Sequence, residues 1–251
     1  MTATVGAVQI VQAAWFSTSH ASAHDAVTAR ERPFTPPAYP LLMGRARRFT
    51  SLVTQMHIEV CGALRLDAAD PPMAVFATRQ GEIQTAERLI SDFRDTAMVS
   101  SARFALSVHN TASGVYSVAA GSHAPATTVT GDNAIAAGWL EAVLSALDAN
   151  RRVLLSIADE PVPAVFGGPS GTTGVAAAFL LAPIGGAPAG RRAELSIAPA
   201  PDAANDDAPD TLHVLARAVD AWTRGAAAAI ALGRIQPGAA LELRLAPEGA
   251  A

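Results

Sequence analysis

His109 and Asn110 are the neighbouring side chains that most directly suggest chemistry, because an imidazole beside a carboxamide can hold or transfer a proton. They lie in the segment FALSVHNTASGVYSVAAG, residues 104–121, which otherwise consists of small and apolar residues. In a helix of small residues such a pair is more typical of hydrogen-bonded structure than of catalysis. We expect it to connect helix ends to the turn after Thr130, and we expect the helix to end near Gly121.

Cys61 is the single cysteine of the chain, so a thiol nucleophile would have to be this residue. It borders the apolar stripe of a helix predicted over residues 45–64, away from a helix start, where a thiolate would be stabilised. This position favours a buried core cysteine. One cysteine also excludes an internal disulfide and a thiolate-rich metal site, and it fits a reducing compartment, by default the cytoplasm.

Two further motifs carry weaker signals. Ser170 lies in GGPSGTTG, which lacks the last glycine of the G-x-S-x-G hydrolase turn and is more typical of a flexible connector. Asp206, Asp207 and Asp210 lie in a proline-containing loop without a nearby ligand set. We expect neither a metal nor a cofactor.

The composition limits the possible functions. Half of the 251 residues are hydrophobic and the formal net charge is -4, which favours a globular domain and argues against a nucleic-acid partner. Every basic residue other than histidine is arginine, and without lysine a Walker-type phosphate loop or a Schiff base is excluded. The start of the sequence lacks the basic residues of a signal peptide, and AAAAIAL is too short to span a bilayer.

The hydrophobic pattern predicts an α/β fold with three layers, in which helices cover both faces of a mixed, mostly parallel sheet. Residues 126–160 carry the clearest signal, since they read as strand, helix, strand. We predict one domain over residues 1–251, with a core at about 3–232 and a C-terminal edge strand and tail at 233–251. Strands are also predicted over 3–16, 71–78, 175–183, 192–200 and, at the edge, 240–247. Further helices are predicted over 82–98, with an apolar period through Ile83, Ala86, Ile90 and Phe93, over 101–121 and over 211–229. Trp139 and Trp222 fall on predicted helices, where packing is the expected use.

Three blocks in order resemble one family: YPLLMGRARRFTSLVTQMHIEVCGAL, MAVFATRQGEIQTAERLI and SARFALSVHNTASGVYSVAAG. They are similar to the beta-ketoacyl synthase-like N-terminal domain of stand-alone chain-length factors found among aryl polyene and related polyketide genes. The matching positions are Arg45, Arg47, Arg48, Gly81, Glu82, Phe104, Ser107, Val108, His109, Asn110 and Gly114.

The resemblance implies one half of a thiolase-type fold, of which a complete ketosynthase carries two. In an active ketosynthase a nucleophilic cysteine begins the helix after the strand that corresponds to ATTVTG. Here that turn offers Gly131, Asp132 and Asn133, none of which is a competent acyl acceptor. The two histidines that assist decarboxylation would belong to the second half. The resemblance therefore implies no catalytic residue in this chain.

The same resemblance implies a chain-length-factor subunit that pairs with a full-length ketosynthase in polyketide or fatty-acid-type biosynthesis and shapes its acyl tunnel. The helix at 101–121 and the next strand would lie at the two-fold interface. An acyl carrier protein would bind transiently, with Arg45, Arg47 and Arg48 as contact candidates. The interface and tunnel candidates are Ser107, Val108, His109, Asn110, Thr111, Gly114, Val115, Tyr116, Val118, Thr128, Val129 and Thr130.

Two alternatives stay open on the residues alone. One is an independent acyltransferase or hydrolase with an unrecognised nucleophile such as Ser107 or Ser170. The other is a purely structural homodimer that binds a carrier protein and has no tunnel.

Overall fold

The structure is a computed structural model, and it describes residues 2–38, 41–42, 50–168, 173–186, 188–200, 210–236 and 238–249. Its strands form one sheet of eight in the order β3-β2-β4-β5-β1-β6-β8-β7. The strands are β1 Ala3–Ser17, β2 Met73–Thr78, β3 Ala126–Thr130, β4 Val153–Asp159, β5 Val175–Pro183, β6 Arg191–Pro199, β7 Ala228–Gln236 and β8 Ala239–Leu245. The helices are α1 Ala23–Val27, α2 Leu52–Ala63, α3 Ile83–Thr96, α4 Ser101–Phe104, α5 Thr111–Ala120, α6 Ala134–Ala149 and α7 Thr211–Thr223.

Two hydrophobic cores lie on opposite faces of the sheet, which confirms the three layers. Alternate residues of each central strand point to opposite faces. In β4, Leu155 belongs to the core beneath α6 and α7, whereas Leu154 belongs to the core beneath α2 and α5. Both faces of β4 and β5 are buried, so these strands read as continuous apolar runs.

The sheet is mixed, as predicted, but it is not mostly parallel. Only β3-β2 and β2-β4 pair in parallel, and the other five of the seven pairings are antiparallel. The predicted strand-helix-strand unit is present over β3, α6 and β4. Strands β5, β6 and β7 run opposite to β4, and the sequence did not predict this because an apolar pattern does not show in which direction a strand runs.

Two predicted helices also differ in extent from the structure. Helix α2 begins at Leu52 because the Ser51 hydroxyl caps the amide of Thr54, and residues 45–49 of the predicted helix lie outside the described residues. The predicted helix over 101–121 is two helices, since the Ser107 hydroxyl bonds the carbonyl of Phe104 and the chain leaves helical geometry there. Gly121 ends α5 in a left-handed conformation, as predicted.

The C-terminal region differs most. Helix α7 ends at Thr223, well before residue 229, and residues 228–236 form strand β7. The guanidinium of Arg191 accounts for this end, since it donates to the carbonyls of Ala221 and Trp222. The last strand, β8, was predicted at the edge but lies between β6 and β7, and β7 takes the edge.

The sheet curves over helix α6. This helix packs on β2, β3 and β4 at one end of the sheet, and it also contacts β7 at the other end. In a flat sheet β3 and β7 would lie about 34 Å apart at the usual strand spacing, too far for one helix to reach both. Curvature therefore brings β7 back onto α6, and Trp139 of this helix is fully buried against Phe179, with ring centroids 4.9 Å apart.

Candidate functional site

The turn between β3 and α6 stands where the resemblance places a nucleophile. Gly131 has φ +108°, which few other residues adopt, and its amide donates to the carbonyl of Arg79 at 3.1 Å. Asp132 and Asn133 follow it on the surface, and the Asp132 carboxylate lies 3.8 Å from the guanidinium of Arg79. The strand-turn-helix geometry is thus present with a carboxylate and an amide in the turn, and neither group attacks a thioester as a thiolate does.

A groove runs along the exposed side of α5, and we call it the α5 groove. Its volume is about 540 Å³, within the range of small-molecule sites. Most lining atoms are carbon, and Gly114 leaves open space within 4 Å of the place where a Cβ would be. The lining residues are Leu41, Leu42, Ala105, Leu106, Val108, Asn110, Thr111, Gly114, Val115, Val118 and Ala119.

Half of the twelve sequence-predicted interface residues meet in this groove, namely Val108, Asn110, Thr111, Gly114, Val115 and Val118. The other candidates lie elsewhere. Tyr116 points into the core, where its ring centroid is 5.6 Å from that of Phe76, and burial raises the pKa of its hydroxyl. Thr128 belongs to β3, and its hydroxyl lies 3.1 Å from that of Ser113.

His109 and Asn110 are both exposed. Within the described part of the chain neither side chain forms a hydrogen bond, so the expected tie to the turn after Thr130 is not formed. Asn110 acts through its backbone instead, since its carbonyl accepts from the Ser113 hydroxyl and from the amide of Gly114. His109 packs beside Gly81, where an added Cβ would lie 3.4 Å from the histidine Cβ.

The sequence did not reveal Leu41, Leu42, Ala105 and Leu106 as groove residues. The leucines follow a proline-rich loop and the other two lie in the break between α4 and α5, so helical periodicity gives no signal for them. Arg45, Arg47 and Arg48, proposed to contact a carrier protein, lie outside the described residues, as does Ser170.

Reactive residue types lie in the core. The Cys61 thiol is buried on α2, and burial raises its pKa to about 12, which confirms the core cysteine. His57, one turn earlier, accepts or donates at Nδ1 to the Ser156 hydroxyl at 2.8 Å. Burial lowers the pKa of His57 to about 3, so this imidazole stays neutral. Among the described residues its Nε2 has no hydrogen-bond partner, and the group serves packing against Phe76.

Two buried carboxyls join the ends of three elements near the turn, and we call Glu82 and Glu160 the carboxyl pair. Glu160 directly follows β4 and accepts from the amide of Val53 in α2 and from that of Gln84 in α3. Burial, reinforced by the charge of Glu82, raises the pKa of Glu160 to about 7. Sequence analysis named Glu82 only as a matching position and missed Glu160; a charged residue directly after a buried strand was the available signal.

Large apolar side chains are exposed on α3, α4 and α5 and in the segments between them. The apolar period of α3 runs through Ile83, Ala86, Ile90 and Phe93, but none of these is buried and Leu89 is the one buried residue of this helix. We call the following set the apolar surface: Ile90, Phe93, Met98, Val99, Phe104, Val108 and Val118, of which Val118 is 85% exposed. Exposed large apolar side chains on neighbouring segments are typical of surfaces that bind another molecule.

Strand β3 lies at one edge of the sheet, beside α5. Its inner side pairs with β2, and its outer backbone groups face away from the sheet. Such an edge can pair with a strand of another chain. Among the described residues no helix has both the length and the apolar character needed to cross a bilayer.

Comparisons with known proteins agree with this geometry. A family model described as beta-ketoacyl synthase, N-terminal domain, matches residues 15–230, which is most of the chain. The search of curated proteins gives no match. A solved structure, the ketosynthase (ApeO) in complex with its chain length factor (ApeC) from Xenorhabdus doucetiae, contains a similar chain. The TM-score is 0.71 at 19% identity, with 94% of this chain and 98% of that chain covered.

A second solved structure, PksG, an HMG-CoA synthase from Bacillus subtilis, matches with a TM-score of 0.40 and 14% identity over 71% of this chain and 42% of its own. This similarity is too low to carry an argument. The family match rests on the sequence, and the similarity to the Xenorhabdus structure extends over nearly the whole fold. The chain belongs to the beta-ketoacyl synthase N-terminal domain family.

Proposed function

We propose that this chain is a non-catalytic, chain-length-factor-like subunit that pairs with a ketosynthase and forms part of the wall of its acyl tunnel. The observation that carries the proposal is the turn at 131–133, where the fold is that of a condensing enzyme but no thiol is present. In this family the thiolate at that place receives the acyl chain. The bond-forming chemistry therefore belongs to the partner.

The surface beside the turn supports pairing. Among the strands that the structure describes, β3 has no partner on its outer side, and the apolar surface would lose its contact with water against another protein. Pairing through β3 would bring the α5 groove to the interface, since the groove and the strand flank the same helix. An apolar groove of this size would then hold part of an acyl chain, and its depth would limit chain length.

Co-expression with the ketosynthase encoded beside the chain tests the pairing. We expect the two to co-purify and to elute as a heterodimer, and the isolated chain to have low solubility because the apolar surface is uncovered. A stable homodimer that ignores the co-expressed ketosynthase would contradict the proposal and support the structural alternative. Labelling of the chain alone by a fluorophosphonate or acyl-carrier probe would instead support the independent enzyme.

Gly114 provides the test of the tunnel. Gly114→Leu should fill part of the groove and shorten the product of the complex, because no atom of the described residues outside the helix backbone lies within 4 Å of the place where a Cβ would be. Gly114→Ala is the matched control, since it adds one methyl to the same helix and should leave the product nearly unchanged. An unaltered product profile for Gly114→Leu in an intact heterodimer would overturn the tunnel role without affecting the pairing.

The carrier-protein contact is a separate proposal. Arginines suit the carboxylates and phosphate of an acyl carrier protein, and Arg45, Arg47 and Arg48 are close together in the sequence. Replacing all three by glutamine should raise the KM for the acyl carrier protein at unchanged kcat in the heterodimer. An equal KM would assign these arginines to solvation.

A further inference from the structure

We propose that the carboxyl pair is a proton-dependent clamp that holds the starts of helices α2 and α3 against the end of β4, and that loss of its proton loosens both helix starts. This inference goes beyond the proposed function and does not depend on it. The carboxyl pair takes no part in the groove or the turn described above.

The geometry of the pair is that of a three-way joint. Glu160 accepts from the amides of Val53 at 3.1 Å and Gln84 at 2.9 Å, which are the second residues of α2 and α3. One carboxyl thus satisfies a free N–H at each of two helix starts. Its own position is fixed by β4, which ends one residue earlier.

Glu82 makes the second set of connections between the same helices. Its carboxyl accepts from Ser51 at 2.8 Å and from Thr54 at 2.6 Å, which belong to the start of α2, and from Thr85 of α3 at 3.0 Å. Both glutamates are 5% exposed. Two carboxyls in one buried joint cannot both be ionised without strong mutual repulsion.

The charged groups around the joint do not remove this repulsion. Arg88 of α3 is the cation that acts favourably on Glu160. Asp159 of β4 precedes Glu160, and Asp210 lies along the same depression as Arg79. Asp159 is itself buried and bonds Thr211, the amide of Arg79 and Thr78, and its pKa is raised by burial. The joint is therefore surrounded by more acid than base, which favours retention of a proton near neutral pH.

The clamp is testable by hydrogen exchange of the whole chain at pH 6 and pH 8.5, with rates corrected for the intrinsic pH dependence. The pKa of Glu160 is raised to about 7 in the closed joint and returns to its ordinary value when the joint opens. Peptides over 50–56 and 82–86 should therefore lose protection about tenfold between pH 6 and pH 8.5. The start of α6, to which neither glutamate is hydrogen-bonded within the described residues, is the internal reference and should keep its protection.

Glu160→Gln is the decisive variant. It keeps the shape of the side chain and one of the two acceptor oxygens but cannot ionise. The helix start that loses its acceptor should therefore be less protected, and the protection of both starts should become independent of pH. Glu87→Gln, on the same helix outside the joint, should exchange as the wild type does. If Glu160→Gln does not fold, the pH dependence of hydrogen exchange in Glu82→Gln, compared with that of the wild type, tests the clamp instead. Protection that does not change with pH in the wild type, or an undiminished change in Glu160→Gln or in Glu82→Gln, would overturn the clamp.

Discussion

Helices α5 and α6 flank the same strand, β3, but the molecule treats them differently. Helix α6 lies on the sheet, is covered by the returning strand β7, and buries Trp139 completely. Helix α5 packs on α2 and the sheet through Thr111, Ala112, Ser113 and Tyr116, while its other side borders the α5 groove and exposes Val118. Helix α6 therefore mainly stabilises the fold, whereas the exposed side of α5 is free to contact another molecule.

Trp139→Ala should strongly destabilise the packing of α6. The substitution would leave a cavity against Phe179 in the largest core, and we expect a loss of about 3–5 kcal/mol in the free energy of unfolding. Urea denaturation followed by circular dichroism measures it. Trp222→Ala, a partly buried tryptophan whose indole donates to the Ile10 carbonyl, should cost less. Equal losses would show that α6 is not specially enclosed.

His57→Gln tests whether the core beneath α2 contains a histidine that burial keeps neutral. The folded-state pKa of His57 is lowered to about 3, so unfolding takes up a proton below about pH 6.5 and the wild type loses stability as the pH falls. The stability difference between wild type and His57→Gln should shrink by about 2.5 kcal/mol from pH 7.5 to pH 4.5. The exposed His109→Gln is the control. A stability difference between wild type and His57→Gln that stays constant with pH would contradict the assignment.

Gly114→Ala on α5 should increase the stability of the chain. Because no described residue outside the helix backbone lies within 4 Å of the added methyl, the helix loses the backbone entropy cost of glycine and should be about 0.5–1 kcal/mol more stable. On α6, Gly138→Ala should destabilise, since the new Cβ would lie 2.7 Å from that of Ala77. Thermal unfolding of the two variants should therefore shift in opposite directions, and a loss at Gly114 would mean that its space is not free.

Phe93→Ser and Val118→Ser should have the smallest effect on the isolated chain. Both side chains are largely exposed, so the free energy of unfolding should change by no more than about 0.5 kcal/mol. Solubility should rise, and capture by the co-expressed ketosynthase should fall. A large loss of stability in either variant would place that side chain in the core and remove it from the apolar surface.

The sequence predicted many elements correctly where a local signal was strong. β1, β2, β3 and α6 lie where the hydrophobic period and the turn residues placed them, and Cys61 is buried as its place in the α2 stripe indicated. The alanine run at 226–229 carried no such signal, because alanine fits both helix and strand. The apolar residues of α3 predicted a buried face, since periodicity shows which residues share a face but not what covers it.

What the sequence alone determined is the class of fold and the absence of a thiol at the turn 131–133, because both depend on residue types at fixed places along the chain. The tertiary structure decided which residues meet. It assembled the α5 groove from two loops and a helix, joined Glu82 to Glu160 across 78 positions, and brought β7 back onto α6. Such contacts depend on sheet order and curvature, which arise when the whole chain packs and are not encoded in any one segment.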